Sequence, residues 1–208
     1  MIRILIVDDH PAICKGLKAT LDPEPDMEVV GVGNTRDAAV RLFREHRPDI
    51  TLMDLGLAGD VEGLDAIREI RAEFPDARII VFSALRGDED VYQSLRAGAI
   101  TFLAKETGED ELMKTIREVH AGNRPIPQDV ARKLADRLTL ESLTERETQV
   151  LKLIADGLRN KEIAAELHIS EETVQGHVKN VLRKLKVNDR TKAAMVATQR
   201  GIFHLPQE

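Results

Sequence analysis

Ile50-Thr51-Leu52-Met53-Asp54 decides how this chain is read: an apolar run ends on a carboxylate, and a loop of Gly, Ala and Asp follows. Three other runs end on chemistry in the same way. Ile2-Arg3-Ile4-Leu5-Ile6-Val7 ends in Asp8-Asp9, Arg78-Ile79-Ile80-Val81-Phe82 in Ser83, and Ile100-Thr101-Phe102-Leu103-Ala104 in Lys105. Short apolar runs bounded by turn residues suit fully buried strands. The carboxyl end of such a strand is where an open α/β sheet forms its ligand crevice. If these strands are parallel, three acids, one hydroxyl and one amine meet at one edge of the sheet.

Three carboxylates packed together repel one another and resist full ionisation. A hard divalent cation removes that conflict, and Mg²⁺ commonly takes one or two carboxylates together with water and phosphate oxygens. Lys105 can then neutralise a phosphoryl oxygen and Ser83 can hydrogen-bond one. The set reads as a Mg²⁺-assisted phosphoryl acceptor with Asp54 as nucleophile, a known role for aspartate. Taken singly, an Asp after a strand is usually a turn former or helix cap. Five such groups at strand ends outweigh that reading.

Between the runs lie amphipathic segments. The expected strands are 2–7, 27–33, 49–53, 78–82 and 100–104, and the expected helices are 11–21, 35–46, 63–73, 88–97 and 109–120. Strands alternating with helices argue for βαβ units and a doubly wound five-stranded parallel sheet over residues 1–121. Residues 122–141 form a linker. Its Gly122-Asn123-Arg124-Pro125-Ile126-Pro127 breaks the pattern, and a short helix is expected from Gln128 to Leu138. Residues 142–208 hold four helical patterns and no strand. Thr144-x-x-Glu147 is a capping box, Asn160 and Ser170 open two further helices, and Asn188 or Asp189 opens the last. The result is a small all-α domain with a helix-turn-helix, the second helix longer and basic.

The net charge of −6 is unevenly spread. Residues 1–121 carry 15 Lys/Arg against 24 Asp/Glu, whereas residues 173–200 carry seven basic residues against the single acid Asp189. A basic face in an acidic chain is an electrostatic footprint for nucleic acid. On the helix 171–186, Val174, Val178, Val181, Leu182 and Leu185 share one face, expected to pack on Leu151, Ile154, Ile163, Ala164 and Leu167. The opposite face carries Glu172, Gln175, Gly176, Lys179, Arg183 and Lys186, and Thr173 is a further candidate DNA contact. Early positions of a recognition helix meet base edges and later ones meet phosphates. Gln175 suits adenine and Lys179 suits guanine. Lys161, Ser170, Arg183, Lys184 and Lys186 suit phosphates. Gly176 lets the backbone approach the groove, or is simply tolerated. Ala193, Ala194, Val196 and Ala197 of the last helix form either a pairing surface or ordinary core.

The composition sets further bounds. The chain has 208 residues, and 42% of them are apolar. No run of about 18 apolar residues offers a membrane span. Neither a charged leader nor a disulfide is expected, since Cys14 is the single cysteine. These features point to a soluble cytoplasmic protein, with Cys14 as packing filler.

Val7-Asp8-Asp9-His10-Pro11, Leu52-Met53-Asp54-Leu55, Val81-Phe82-Ser83-Ala84 and Phe102-Leu103-Ala104-Lys105 resemble the signature of receiver domains, which have a flavodoxin-like fold. Leu143-Thr144-Glu145-Arg146-Glu147, Asn160-Lys161-Glu162-Ile163-Ala164 and Thr173-Val174-Gln175-Gly176-His177-Val178 resemble the LuxR-type helix-turn-helix. In that order the two sets resemble the NarL/FixJ family of two-component response regulators over nearly the whole chain. The resemblance implies phosphorylation of Asp54 by a sensor histidine kinase. It implies Mg²⁺ held by Asp9, Asp54 and the main-chain carbonyl of Gly56, with Asp8 acting mostly through water. Ser83 and Lys105 would contact the phosphoryl group and Phe102 would be the aromatic switch. Phosphorylation would favour a homodimer bound to promoter DNA. The chain departs from the pattern at Leu57-Ala58-Gly59-Asp60-Val61-Glu62-Gly63, a loop one residue longer than usual and without proline. It also departs at Glu106 and at Gln175-Gly176.

Two other functions share some of these residues. A phosphatase working through an aspartyl phosphate would need a general acid two residues after Asp54, where Gly56 stands. A DNA-binding regulator whose receiver serves only for docking would be indifferent to Asp54→Asn.

Overall fold

The computed structural model describes residues 1–57, 62–84 and 87–204. The described residues divide into two compact units, one of residues 1–84 and 90–132 and one of residues 87–89 and 133–204.

The first unit alternates strands and helices: β1 (Ile2–Val7), α1 (Pro11–Leu21), β2 (Met27–Gly33), α2 (Arg36–His46), β3 (Ile50–Met53), α3 (Glu62–Glu73), β4 (Ile79–Ser83), α4 (Asp88–Ala97), β5 (Thr101–Ala104) and α5 (Glu109–His120). All strand pairs are parallel, in the order β2-β1-β3-β4-β5. The order therefore reverses between β1 and β3, which makes their carboxyl ends the crevice of the sheet. β1, β3, β4 and β5 are buried on both faces because helices cover both, whereas the edge strand β2 is partly exposed, with Glu28 and Val32 in solvent. On one face Ile4, Ile6, Leu52, Ile80 and Leu103 pack with Leu17 and Leu21 of α1 and Leu112, Ile116 and Val119 of α5. The alternate residues Leu5, Val7, Met53, Val81 and Phe102 are equally buried and point to the other face.

Local chemistry sets the helix starts. Thr35 caps α2 by accepting the Ala38 N–H at 3.2 Å, and Pro11 occupies the first turn of α1, where no N–H is needed. Arg47 ends α2 in the left-handed region, its guanidinium 3.8 Å from the centre of the Phe74 ring. The expected strand at 49–53 begins at Ile50 because Asp49 closes it from the side: its carboxylate accepts the Arg3 N–H at 2.9 Å.

Helix α6 (Gln128–Leu138) follows the proline-rich stretch. The second unit then contains α7 (Glu145–Ala155), α8 (Asn160–Glu166), α9 (Glu171–Leu185) and α10 (Arg190–Arg200). The Thr144–Glu147 capping box is present in full, and Ser170 and Asp189 cap α9 and α10. Asn160 is the first residue of α8 and not its cap. Arg159 takes that place, and its N–H is satisfied by the Glu162 carboxylate at 2.6 Å.

The apolar face of α9 serves two clusters rather than one. Val174 and Val178 pack with Ile154, Ile163, Ala164 and Leu167. Val181, Leu182 and Leu185 pack with Leu151, Ala193 and Ala197. Ala193 and Ala197 are thus core within this chain, while Met195 stands outside.

Candidate functional site

Register brings the acids level. Val7 pairs with Met53 and Met53 with Val81. The next residues to leave the sheet, Asp8 and Asp54, emerge side by side, and the Asp54 N–H donates to the Val7 carbonyl at 2.8 Å. Ser83 ends β4 and Lys105 follows β5, and the Lys105 N–H donates to the Ser83 carbonyl at 3.1 Å.

Their side chains converge. Lys105 Nζ lies 2.6 Å from both Asp8 Oδ2 and Asp54 Oδ2. Ser83 Oγ donates to Asp54 Oδ1 at 2.5 Å, and the Gly56 N–H reaches the same oxygen at 3.3 Å. Asp8 and Asp54 are each only 3% exposed, so water does little to screen them. Burial disfavours the Lys105 ammonium, but its hydrogen bonds to Asp54 and Asp8 outweigh that effect and hold it above the ordinary lysine range. One ammonium faces three carboxylates, which leaves excess negative charge at the crevice.

Asp8, Asp9, His10 and Asp54 each offer a ligand atom, and all four atoms lie within 4.8 Å of one another. Carboxylate oxygens this close, with charge to spare, fit a hard cation such as Mg²⁺. The Gly56 carbonyl, expected to complete the set, belongs to a half-buried residue beside Asp54.

Three neighbours complete the crevice. His10 Nδ1 lies 2.8 Å from Asp9 Oδ1, and the His10 N–H donates to Asp8 Oδ1 at 2.8 Å. The sequence reading gave His10 no role, although its place beside two acids was the signal. Gly63 was also given none; its N–H donates to the Leu55 carbonyl at 3.1 Å, tying the start of α3 to the exit of β3. Cys14 donates its S–H to the Asp8 carbonyl at 3.3 Å, and its thiol is pushed up first by burial and then by the Asp8 charge. Phe102 is 1% exposed, its ring inside the unit. Residues 58–61 of the longer loop lie outside the described residues, as do 85–86.

In the second unit, α8 and α9 are joined by a turn in which His168 takes the left-handed conformation. Thr173, Gln175, Gly176, Lys179, Arg183 and Lys186 are all exposed along α9, and Lys161 is exposed on α8. Ser170 caps α9 through the Thr173 N–H at 3.1 Å, and their hydroxyls lie 2.7 Å apart. A Cβ built on Gly176 would meet nothing within 4 Å. Arg183 is exposed but engaged with Glu141, Nη1 to Oε1 at 2.5 Å.

Lys184 stands apart from the others. Its ammonium turns inward to Glu147 at 2.6 Å and the Ser142 carbonyl at 3.0 Å, with 13% of the side chain exposed. Burial pushes the Glu147 carboxyl up, but the hydrogen bonds from Lys184 and Thr144 outweigh it and hold it below the usual range. The sequence showed Glu147 as a capping residue. Its pairing with Lys184, 37 residues away, was not visible there.

Known proteins share both halves. Residues 4–117 match the family described as response regulator receiver domain, and residues 141–197 match that described as bacterial regulatory proteins, luxR family. The transcriptional regulatory protein LiaR of Bacillus subtilis (strain 168) is 41% identical over 205 residues, covering 95% of this chain and 97% of that protein. The response regulator protein VraR of Staphylococcus aureus (strain NCTC 8325 / PS 47) is 35% identical over 207 residues, covering 97% and 99%. A solved structure of the two-component response regulator RcsB in complex with DNA is 25% identical with a TM-score of 0.69, covering 95% of this chain and 98% of that one. Among the described residues, no helix is long and apolar enough to cross a membrane.

Proposed function

The chain belongs to the response regulators that join a receiver domain to a LuxR-type DNA-binding domain, and from that membership we propose that phosphoryl transfer to Asp54 switches its control of transcription. The observation that carries the proposal is the convergence of Ser83 and Lys105 on the two carboxylate oxygens of Asp54.

Those contacts suggest how the acceptor works. Asp54 attacks the phosphorus of a kinase phosphohistidine, the P–O bond forms and the P–N bond breaks. The bonding pair leaves with the imidazole, which takes up a proton. Bound at Asp8, Asp9, Asp54 and the Gly56 carbonyl, Mg²⁺ would offset the charge that builds on the phosphoryl oxygens. Lys105 and Ser83 then pass from the carboxylate to those oxygens. The shift of Ser83 is coupled to the inward position of Phe102, which biases a switch surface towards a homodimer. Gly56 stands where a phosphatase would carry a general acid, which favours storing the phosphoryl group over turning it over.

The exposed face of α9 is the proposed reader of promoter DNA. Gln175, Gly176 and Lys179 face the bases, and Lys161, Ser170, Thr173, Arg183 and Lys186 face phosphates. The RcsB–DNA complex supports this use of the domain by similarity. A cytoplasmic setting follows from a DNA target and a soluble kinase domain as donor.

The test is promoter-fragment binding with and without beryllofluoride and Mg²⁺, for the wild type and Asp54→Asn. The expected result is a mimic-dependent gain that the variant lacks. Equal binding by both proteins in both conditions would instead support a docking-only receiver.

A further inference from the structure

We infer that the first unit carries a second anion site, an arginine-lined groove beside α3 and α4 that takes a phosphorylated small molecule such as a nucleoside diphosphate. The site is an open groove of about 520 Å³. Its lining includes Arg68, Arg71, Gln93 and Arg96 with the small residues Pro75 and Gly98, and no carboxylate is among the described lining residues. This stands out in a region where acids outnumber bases by 24 to 15.

Two of the three arginines are held in place. Arg71 Nη1 donates to the Ala77 carbonyl at 2.9 Å, and among the described residues its other N–H groups are left for a ligand. Its side chain lies flat on Gly98, which has a φ of +112° and where a Cβ would come within 2.8 Å of Arg71 Nε. The positive φ of Gly98 favours glycine, and its missing Cβ leaves the space that the Arg71 side chain fills. Arg96 is held over the Tyr92 ring, 5.6 Å from its centre. Arg68 sits at the rim, paired with exposed Asp65 at 2.8 Å.

A cation in the last turn of a helix offsets the negative end of its dipole. That accounts for Arg71 on α3 and Arg96 on α4 taken singly. Asp65 accounts for Arg68 and the end of α4 for the conformation of Gly98, but neither accounts for the three guanidinium groups lining one groove. Guanidinium groups fixed this way match phosphate oxygens in pairs, which mobile lysines do not. Small aliphatic residues beside them suit the sugar of a nucleotide.

The test is calorimetric titration of the full chain with ADP, inorganic pyrophosphate and a short polyglutamate peptide. EDTA is present throughout, so that the Asp8–Asp9–Asp54 crevice holds no metal. Saturable binding of ADP or pyrophosphate is expected. Arg71→Gln or Arg96→Gln should weaken it about tenfold, the loss of roughly one charge-assisted contact, and Arg41→Gln on α2 should leave it unchanged. Tighter binding of ADP than of pyrophosphate identifies a nucleotide, and equal binding identifies the diphosphate alone. Arg96 is exposed and bonds no carbonyl among the described residues, so its variant reads the site even if Arg71→Gln fails to fold. Absent binding, equal loss in the Arg41 variant, or tighter binding of polyglutamate than of either phosphate would overturn the assignment.

Discussion

Gly63 lies against the backbone of Asp54 with no room for one more carbon: a Cβ there would sit 2.1 Å from the Asp54 carbonyl oxygen and 2.7 Å from Leu55 Cα. Both obstacles are main chain and cannot swing aside.

Gly63→Ala must therefore move either the start of α3 or Asp54, the proposed phosphoryl acceptor. The expected cost is on the order of 2 kcal/mol, as for an overpacked core, with slower labelling of Asp54 by a small phosphodonor. Urea unfolding and acyl-phosphate labelling check the two effects. A variant with unchanged stability and labelling rate would show that the packing is slack.

Lys105→Met leaves Asp8 and Asp54 buried with no counter-charge. Loss of one partner of a buried ion pair costs about 3 kcal/mol. Mg²⁺ should recover much of that loss, because the same oxygens then face a cation. Thermal unfolding with and without Mg²⁺ checks this, and a larger metal-induced shift in the variant than in the wild type is expected.

Glu147 ties stability to acid. Its folded carboxyl lies below the ordinary range. The stabilisation is therefore complete above the unfolded value of about 4.3 and is lost as pH falls through the lower folded value. Between pH 5 and pH 3, Glu147→Gln should flatten that loss in the helical unit while lowering stability at neutral pH. Acid titration of the two proteins by circular dichroism is the measurement.

Gly176 separates stability from recognition. A methyl group there meets nothing, so Gly176→Ala should stabilise α9 by about 1 kcal/mol, the helix penalty of glycine. If the α9 backbone approaches the DNA closely, the same change weakens promoter binding. A rise in unfolding midpoint with unchanged affinity would place Gly176 outside the contact.

Much of this was legible in the sequence for one reason: the sheet is parallel and doubly covered. Each strand had to be an apolar run, and each run had to end at the same edge, so Asp8, Asp54, Ser83 and Lys105 could be placed together without coordinates. Caps at Thr144 and Ser170 were equally readable, since their partners lie three residues away, while for α10 the sequence left Asn188 and Asp189 open and the structure selects Asp189. What escaped depends on distance along the chain or on backbone contact. Gly63 against Asp54 is a main-chain approach, and a glycine carries no pattern. Arg159 caps α8 with a backbone N–H that needs only the acid three residues on, so Asn160 drew the assignment by residue type. The two clusters under α9 arise because α10 returns along its second half, which the periodicity of α9 alone does not show.

The inward turn of Lys184 has a consequence for binding in salt. Each phosphate neutralised by a free cation releases condensed counterions, and the logarithm of the affinity falls with that of salt by about 0.9 per contact. A lysine locked to Glu147 inside its own domain releases none. The ionic-strength dependence of promoter binding should thus be shallower than the basic residues of 173–200 suggest, and a larger share of the affinity must come from contacts that salt leaves alone.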